Sequence, residues 1–271
     1  MAEFKKTKGP AGVTAPTATP QTQAVVKPDV VNWERYSGTD TGFENVQQSD
    51  LGIPFLNILQ SKSAEIDRTH KDYATKKIEG AQAGDIINTV TRQVVASVDK
   101  DKINVIPAFY EKTYVEWKAN RGGLVKVHRD PKILEEVTGK TEKNENILRN
   151  GNLLLETASF YVMVDDEQQT QALINMTQTQ LKKARLWLNL ALGIKIGPAR
   201  VNPPLFSHIY TLSTVIERKD NNAWYGWNIQ VGPSVTSREI VEEAIAIGKR
   251  VRIASAPKHA EITNGSDEVP M

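Results

Sequence analysis

The sequence contains no cysteine, no long apolar run and none of the common catalytic or phosphate-binding motifs. Without cysteine there are no disulfides, thiolate zinc sites or cysteine nucleophiles, which suits a reducing compartment. No apolar stretch approaches the ~18 residues that a membrane-spanning helix needs, and the basic start lacks the apolar segment of a secretion signal. The 4 histidines lack metal-binding spacing, and no glycine-rich phosphate loop occurs. We therefore expect a cytoplasmic, non-enzymatic protein without a metal or cofactor.

Neither sign of charge is in large excess, because 34 Lys and Arg residues are balanced by 32 Asp and Glu residues for a net charge of +2. A protein that binds nucleic acid through bulk charge is usually more basic. If this chain binds phosphate, its lysines and arginines must be concentrated on one face. Hydrophobic residues make up 39% of the 271 residues, which is enough apolar material for a core that needs no disulfide or metal.

Composition divides the chain into three parts. Residues 1–30 are rich in Thr, Pro, Ala, Gln and Lys, with almost no large apolar side chain, and predict a disordered N-terminal arm. Residues 257–271 are polar and partly acidic and predict a disordered C-terminal tail. No linker-like composition clearly interrupts residues 31–256, so a single domain is predicted there. Its weakest part, Asp130–Asn152, is charged and rich in Asn and Gly, and predicts a long loop with one helical turn.

Strand signals dominate the predicted domain. Six segments are rich in β-branched, aromatic and other apolar residues and are joined in pairs by short polar turns. The pairs are Ile86–Val98 with Ile103–Trp117, Leu153–Val164 with Gln171–Met176, and Ser207–Arg218 with Ala223–Val231. Three hairpins of this kind predict a mostly antiparallel sheet.

Two amphipathic helices complete the domain. The first covers Leu181–Leu192, with Thr179 as its predicted N-cap. The second begins with the capping-box sequence Thr236–Glu239 and continues with an apolar stripe that includes Ala244 and Ile247. Long antiparallel strands with a helix between hairpins predict an α+β fold with an OB-like (oligonucleotide-binding) barrel. The same pattern is compatible with other α+β folds.

The segment richest in candidate contacts interleaves aromatic rings with cations from Ile103 to Arg129. Side chains of a strand alternate between its faces, so Tyr110, Lys112 and Tyr114 are expected on one face. Rings stack on unpaired bases at ~1–3 kcal/mol each, and cations follow the phosphates. The alternative is that tyrosines are good strand formers beside solvated lysines. The predicted nucleic-acid contacts are Tyr110, Lys112, Tyr114, Trp117, Lys118, Arg121, Lys126, Arg129 and Trp224.

Trp224 belongs to a second aromatic group, the sequence Trp-Tyr-Gly-Trp at residues 224–227. One face of this strand must meet the core, so the second and third rings are expected inside and Trp224 is expected to take a ligand. Gly226 would let the backbone approach that ligand closely. On the first helix, Lys182 and Lys183 lie off the apolar stripe. We interpret them as a solvated face, with a phosphate-contacting edge as the alternative.

Five patches of the sequence resemble a group of tailed-phage proteins regarded as single-stranded DNA-binding or recombination-accessory proteins. The patches are Asp50–Gln60, Gly84–Thr89, Val105–Trp117, Gly122-Gly123 and Thr177–Arg185. The resemblance implies a role in phage DNA replication or recombination in the host cytoplasm and, by analogy, an oligonucleotide-binding barrel. It supplies no catalytic residues. The C-terminal tail also has fewer acidic residues than the tails of well-studied single-strand binders.

We therefore predict a protein that binds single-stranded DNA with little sequence preference. Its expected partners are that DNA and phage or host replication and recombination proteins, with oligomerisation left open and no membrane. A second hypothesis is a Mg²⁺-dependent nuclease, in which Glu116 and an upstream Asp85 or Asp99 hold the metal and Lys118 steadies the attacking water. A third is a non-enzymatic factor that binds a host protein through the N-terminal arm.

Overall fold

The computed structural model describes residues 52–119, 122–142 and 144–255, which form eleven strands and three α-helices. The strands are β1 (Leu56–Ile58), β2 (Ile86–Asn88), β3 (Gln93–Ala96), β4 (Ile103–Trp117), β5 (Leu124–His128), β6 (Val137–Lys140), β7 (Asn146–Leu148), β8 (Leu153–Val164), β9 (Gln171–Thr177), β10 (His208–Lys219) and β11 (Asn222–Ser234). The helices are α1 (Tyr73–Lys76), α2 (Leu181–Gly193) and α3 (Arg238–Ser255). In this part of the chain no helix is long and apolar enough to cross a membrane. The predicted arm and tail lie outside the described residues.

The centre of the larger sheet is the antiparallel pair β4–β8, with Val105 opposite Val164 at one end and Trp117 opposite Leu153 at the other. Each strand has a different second neighbour at each end. β4 pairs first with β10 and then with β5, while β8 pairs first with β7 and then with β9. Pro107 accounts for the change of neighbour along β4. It has no N–H for the ladder, and the register shifts between Pro107 and Phe109, which bends the strand.

Alternation of side chains along this pair builds two cores, one on each face of the sheet. On one face Phe160 stacks against Trp187 of α2, with the ring centroids 4.2 Å apart. On the other face Met163 packs against Ala244 and Ile247 of α3, which confirms the predicted apolar stripe of that helix. Full burial of the Trp187 side chain alone corresponds to about 4–6 kcal/mol of hydrophobic stabilisation.

The smaller sheet, with strand order β1-β2-β3, joins the larger one on two sides. β1 lies beside β9 through a parallel bridge. It reaches β11 through Gln60, whose side-chain amide donates to the Tyr225 carbonyl and accepts from the Tyr225 N–H, both at 2.9 Å. Gln180 accepts the next outward N–H of β11, from Trp227, at 3.1 Å. Two glutamine side chains thus occupy backbone groups of an edge strand, and no barrel is closed by strand pairing within the described segments.

The predicted strand Ile86–Val98 is wrong, because the structure divides it into β2 and β3. The side-chain oxygen of the buried Asn88 accepts the N–H groups of Val90 and Thr91 at 2.9 and 3.1 Å. An Asn that binds its own backbone in this way ends a strand and starts a turn. The predicted hairpin across residues 99–102 is wrong as well, since β3 pairs with β2 and β4 belongs to the other sheet.

The prediction for Asp130–Asn152 is confirmed for its helical turn and wrong for the remaining loop. The segment contains a 3₁₀ helix, Pro131–Glu136, followed by the antiparallel pair β6–β7. The Asp130 carboxylate starts the 3₁₀ helix by accepting the N–H of Lys132 at 2.9 Å. Ile133, Val137 and Leu148 of this charged segment pack inward, with Leu148 only 1% exposed. The apolar residues of this segment follow neither the helical nor the strand period, so the two strands could not be predicted from the sequence.

The other two predicted hairpins are confirmed as β8–β9 and β10–β11, and the α+β, mostly antiparallel class is confirmed. The helix starts differ from the predictions. α2 follows a 3₁₀ turn, Gln178–Gln180, and has no side-chain cap, so Thr179 does not cap it. In α3 the hydroxyl of Ser237, not Thr236, accepts the N–H of Ile240 at 3.3 Å.

Two buried polar atoms in the main core, Trp187 Nε1 and the Tyr210 hydroxyl, have no hydrogen-bond partner among the residues described. Burial raises the pKa of Tyr210 to about 12. A buried hydroxyl without a hydrogen-bond partner destabilises the folded state. Replacing the hydroxyl by a hydrogen atom removes this cost.

We expect Tyr210→Phe to raise the free energy of unfolding by about 1–3 kcal/mol near neutral pH, because it removes the unpaired hydroxyl. The folded pKa of about 12 lies above the ordinary 10.0, so the unfolded chain loses this proton first as pH rises. The wild type should therefore lose stability between pH 10 and 12 by an amount that the variant does not lose. Urea unfolding across that range tests this, with Tyr73→Phe as the control. Equal alkaline losses in the wild type and Tyr210→Phe would contradict it.

Candidate nucleic-acid interface

The three rings of β4 that the sequence predicts as stacking platforms are largely covered. Tyr114 is 4% exposed and packs against Leu148 and Leu154. Tyr110 is half-buried, its ring lies 5.0 Å from that of Phe160, and burial raises its pKa. Trp117, at the end of β4, is also half-buried. Stacking needs an exposed ring face, which Tyr114 lacks because the segment predicted as a loop covers it. We therefore leave Tyr114 out of the interface.

Two of the predicted cations of this region are already paired with carboxylates. Lys112 lies 2.8 Å from Glu156 on β8, and Arg129 binds Glu111 on β4. Both cations remain about half exposed, at 44% and 45% of their side chains, so water can still reach both of them. Lys112 lies at the edge of a cleft described below, since Glu156 lines that cleft.

The remaining predicted cations of this region do not continue a row with Lys112. Lys118 is exposed just after β4, and Arg121 lies outside the described residues. Lys126 is exposed on β5 and lines a separate cleft of about 480 Å³ together with Glu116 and His128. The structure therefore places Lys126 in one cleft and Lys112 beside another, and the predicted cations form no single row.

Glu116 is the centre of a polar cluster in that separate cleft. Its carboxylate accepts hydrogen bonds from Asn152 at 2.6 Å and Asn150 at 2.9 Å, and lies 2.7 Å from His128 Nε2. The side chain is only 7% exposed. The hydrogen bond from Asn152 is the largest cause that holds the pKa of Glu116 below its ordinary value, against the opposing effect of burial.

The carboxylates of the nuclease hypothesis have other partners. Both oxygens of the buried Asp85 accept backbone N–H groups, from Gln82 at 2.9 Å and Val98 at 2.8 Å. No group of three or more His, Cys, Asp or Glu side chains that could hold a metal occurs in residues 52–119, 122–142 and 144–255. These contacts give Glu116 and Asp85 structural roles, and the nuclease hypothesis gains no support from them.

We expect Glu116→Gln to destabilise the fold by roughly 1–3 kcal/mol at pH 7, because a charge-assisted acceptor is lost. Since the folded pKa lies below the ordinary 4.5, the stabilisation is present above pH 4.5 and is lost as the pH falls further. The variant should show a flatter dependence of stability on pH in that acid range. Urea unfolding at pH 7 and pH 3.5 measures the difference, and Glu135→Gln on the exposed 3₁₀ helix is the control. An identical acid response of the wild type and Glu116→Gln would refute this role.

A larger cleft of about 600 Å³ opens where the β6–β7 turn, the start of β8 and the start of α2 meet the end of β10. We call it the cationic cleft. Four cations and two acids line it, namely Lys140, Lys182, Arg185, Lys219, Glu145 and Glu156. Arg185 and Lys219 are exposed and form no ion pair with any residue that the structure describes. Together with the positive end of the α2 dipole, these side chains favour an anion.

A second cleft of about 360 Å³ lies between β1, the end of β9 and β11. We call it the amide cleft, because side-chain amides and aromatic rings alternate around it. Its lining includes Asn57, Asn175, Gln180, Trp224 and Tyr225. The two clefts adjoin each other, since Gln178 and Thr179 line both.

The carboxylate of Glu217 on β10 contacts residues of both clefts. It accepts a hydrogen bond from the Trp224 indole at 2.9 Å and lies 3.1 Å from Lys182 and 3.0 Å from Lys183. Burial alone would raise the pKa of Glu217, but the hydrogen bonds from both lysines and Trp224 outweigh it and lower that pKa. The ring of one cleft and a cation of the other are thus held in a single network.

Gly226 has a different role from the predicted one. A Cβ at this position would lie 3.1 Å from the Glu217 carboxylate and 3.0 Å from the Gln180 amide. The glycine therefore makes room for the side chains that hold Trp224 and β11 in place, whereas the sequence predicts that it makes room for a ligand. Trp227 is 3% exposed in the main core, as the alternation of the strand predicts.

The residue at the junction of the clefts, Gln178, has a left-handed backbone with φ +47°. Such a conformation costs a residue other than glycine roughly 1–3 kcal/mol. The side chain of Gln178 donates to Glu145 at 3.0 Å, which fixes the turn across the cationic cleft. Conformations of this kind concentrate at ligand-binding sites, where the surrounding structure enforces them.

Four cations of the cationic cleft are absent from the contacts predicted from sequence. Lys182 and Arg185 lie three residues apart, which places them on one face of α2, and this spacing was the available signal. Lys140 and Lys219 come from strands that are distant in the chain, and only tertiary packing brings them to the same opening. Of the predicted contacts, Trp224 lines the amide cleft and Lys112 lies beside the cationic one.

The protein therefore belongs to the α+β class with mostly antiparallel sheets, and its cationic cleft adjoins its amide cleft. A family model described as Pam3 phage gp34-like protein matches residues 20–255, so the chain belongs to that family. No curated protein and no solved structure matches the chain. The family match confirms the phage part of the resemblance seen in the sequence.

Proposed function

We propose that this phage protein binds single-stranded DNA with little sequence preference and acts in phage DNA replication or recombination in the host cytoplasm. The observation that carries the proposal is the contact series Trp224–Glu217–Lys182, which joins an aromatic ring to a cation across two adjoining clefts. A single strand presents alternating bases and phosphates, and its binding sites combine rings for the bases with cations for the backbone.

The cationic cleft supplies the backbone contacts of the proposal. Arg185 and Lys219 are exposed and available for phosphate, and Lys182 is 57% exposed although it pairs with Glu217. Lys183 and the Trp224 indole also bind Glu217, so Lys182 can turn to a phosphate without leaving that carboxylate unpaired. Glu145 and Glu156 limit the net charge of the cleft, which agrees with the near-neutral composition of the whole chain.

The amide cleft supplies the base contact. Trp224 is half-buried, and its indole nitrogen is bonded to Glu217, so the ring is held in place while it still lines the opening. A ring fixed in this way loses little conformational entropy when a base stacks on it. The bases of a duplex are stacked on each other and offer no face to such a ring, so the geometry favours an unpaired strand. An OB-like barrel stays a prediction, and the proposal depends on the clefts alone.

We expect the double variant Lys182→Ala/Arg185→Ala to bind oligo(dT) more weakly and with a weaker dependence on salt. Each lost phosphate contact should reduce the slope of log K against log salt concentration by about 0.7. Fluorescence titrations at several salt concentrations measure both effects. Lys249→Ala is the matched control, because Lys249 is an exposed lysine of α3, on the opposite face of the sheet.

A wild-type protein that shows no binding at low salt would remove the proposal. Wild-type binding with an unchanged salt slope in the double variant would show that the strand lies elsewhere.

We expect Trp224→Ala to weaken binding of oligo(dT) by about 5- to 150-fold, corresponding to a stacking contribution of ~1–3 kcal/mol. Trp224→Phe keeps a ring and should bind within a few fold of the wild type. It should nevertheless lose much of the DNA-induced quenching, because it removes the one of 5 tryptophans that the proposal places against a base. Titration by intrinsic fluorescence and by anisotropy of labelled DNA separates affinity from quenching. Full quenching in Trp224→Phe would place the DNA against a different tryptophan.

A further inference from the structure

We propose that the amide cleft binds one unstacked base by its hydrogen-bonding edge, through Asn57 and Asn175, with Trp224 against the face of that base. This inference rests on the proposed function and makes it more specific. It implies that part of the affinity for a single strand depends on base chemistry, and that the strand enters with one base turned out of the stack.

The two asparagines belong to strands that meet at the amide cleft. β1 and β9 approach each other at a parallel bridge between Phe55 and Leu173. Asn57 and Asn175 each lie two positions after a residue of this bridge, and both are exposed and line the amide cleft. The cleft therefore carries one amide from each strand.

Other amides of the cleft are occupied by the protein itself. Gln60 exchanges two hydrogen bonds with the Tyr225 backbone, and Gln180 accepts the N–H of Trp227. These two glutamines build the walls of the cleft and hold β11 in place.

The two asparagines, in contrast, keep hydrogen-bonding capacity for a ligand. The Asn57 amide has no side-chain hydrogen bond within the described parts of the chain. Asn175 accepts one from Ser159 at 2.7 Å, which orients its amide and leaves its N–H groups unused. Side-chain amides carry both donors and an acceptor, which suits them to the hydrogen-bonding edges of unpaired bases.

The dimensions of the cleft favour a single base. Its volume of about 360 Å³ is at the lower end of the range of small-molecule sites. The base would lie between the asparagine pair and Trp224, and the turn residues Gln178 and Thr179 lead directly from this cleft to the cationic one. A phosphate next to the bound base can therefore reach the cations of α2 without a rearrangement of the fold.

The test compares oligo(dA), oligo(dC) and oligo(dT) with an abasic deoxyribose-phosphate strand of equal length, at one salt concentration. The wild type should bind the base-bearing strands more tightly than the abasic strand. Asn57→Ala/Asn175→Ala should lose about tenfold in affinity for at least one base-bearing strand, as expected when a bidentate amide contact is removed. Its affinity for the abasic strand should not change. Asn189→Ala on the exposed surface of α2 is the matched control.

Failure of this inference differs from failure of the proposed function. If the double asparagine variant binds every strand as the wild type does, while Lys182→Ala/Arg185→Ala binds them weakly, the base site is refuted and single-strand binding stands. If the wild type binds none of the strands, both fail. NMR titration of the wild type with dAMP, dCMP and deoxyribose 5-phosphate is an independent measurement that needs no variant. Shifts of the Asn57 and Asn175 side-chain amide signals with the nucleotides alone support the site, and their absence overturns it.

Discussion

The antiparallel ladder between β4 and β8 is the constraint on which the rest of the structure depends. Its register, from Val105 opposite Val164 to Trp117 opposite Leu153, determines which side chains face α2 and which face α3. A shift of one residue would exchange the side chains that face α2 with those that face α3. Phe160 would then face α3 and Met163 would face α2. Because Pro107 bends β4, the two ends of the ladder take different neighbours. One end carries β10 and β9, which build the cleft walls, and the other carries the cover over Tyr114.

The 3₁₀ turn Gln178–Gln180 connects that ladder to the proposed site. It follows β9 directly and leads into α2, whose Trp187 is anchored in the main core. Within it, Gln180 holds the edge of β11 and Gln178 holds Glu145 across the cationic cleft. The strained backbone of Gln178 is maintained because the elements on both sides of it are fixed by burial. The turn therefore lies between the two clefts and contributes residues to the lining of both.

The fold predictions succeeded where local chemistry and burial agree, and failed where a single polar contact overrides propensity. The strands β4 and β8 were predicted with the bounds they have, since each is a long run of apolar and β-branched residues. Asn88 lies in an equally β-prone segment, but its side chain binds the backbone and divides that segment in two. The strands β6 and β7 carry few apolar residues, and their inward side is recognisable only when Tyr114 is known to lie beneath it. In the site, alternation along β11 placed Trp227 in the core and Trp224 outside it, but Tyr225, which it also placed inside, is half-buried and lines the amide cleft.

The α+β class, the long strands, the two amphipathic helices and the balance of charge are predictable from the sequence, because these properties depend on residue type and on spacing along the chain. Only the tertiary structure decided which rings are covered and which cations share an opening. Tyr114 and Trp224 are both aromatic residues of predicted strands, yet one is covered by β7 and the other lines a cleft. Lys140, Arg185 and Lys219 are separated by long stretches of chain, and strand pairing brings them together. The physical reason is that burial and electrostatic proximity depend on contacts between residues far apart in sequence, which no local pattern encodes.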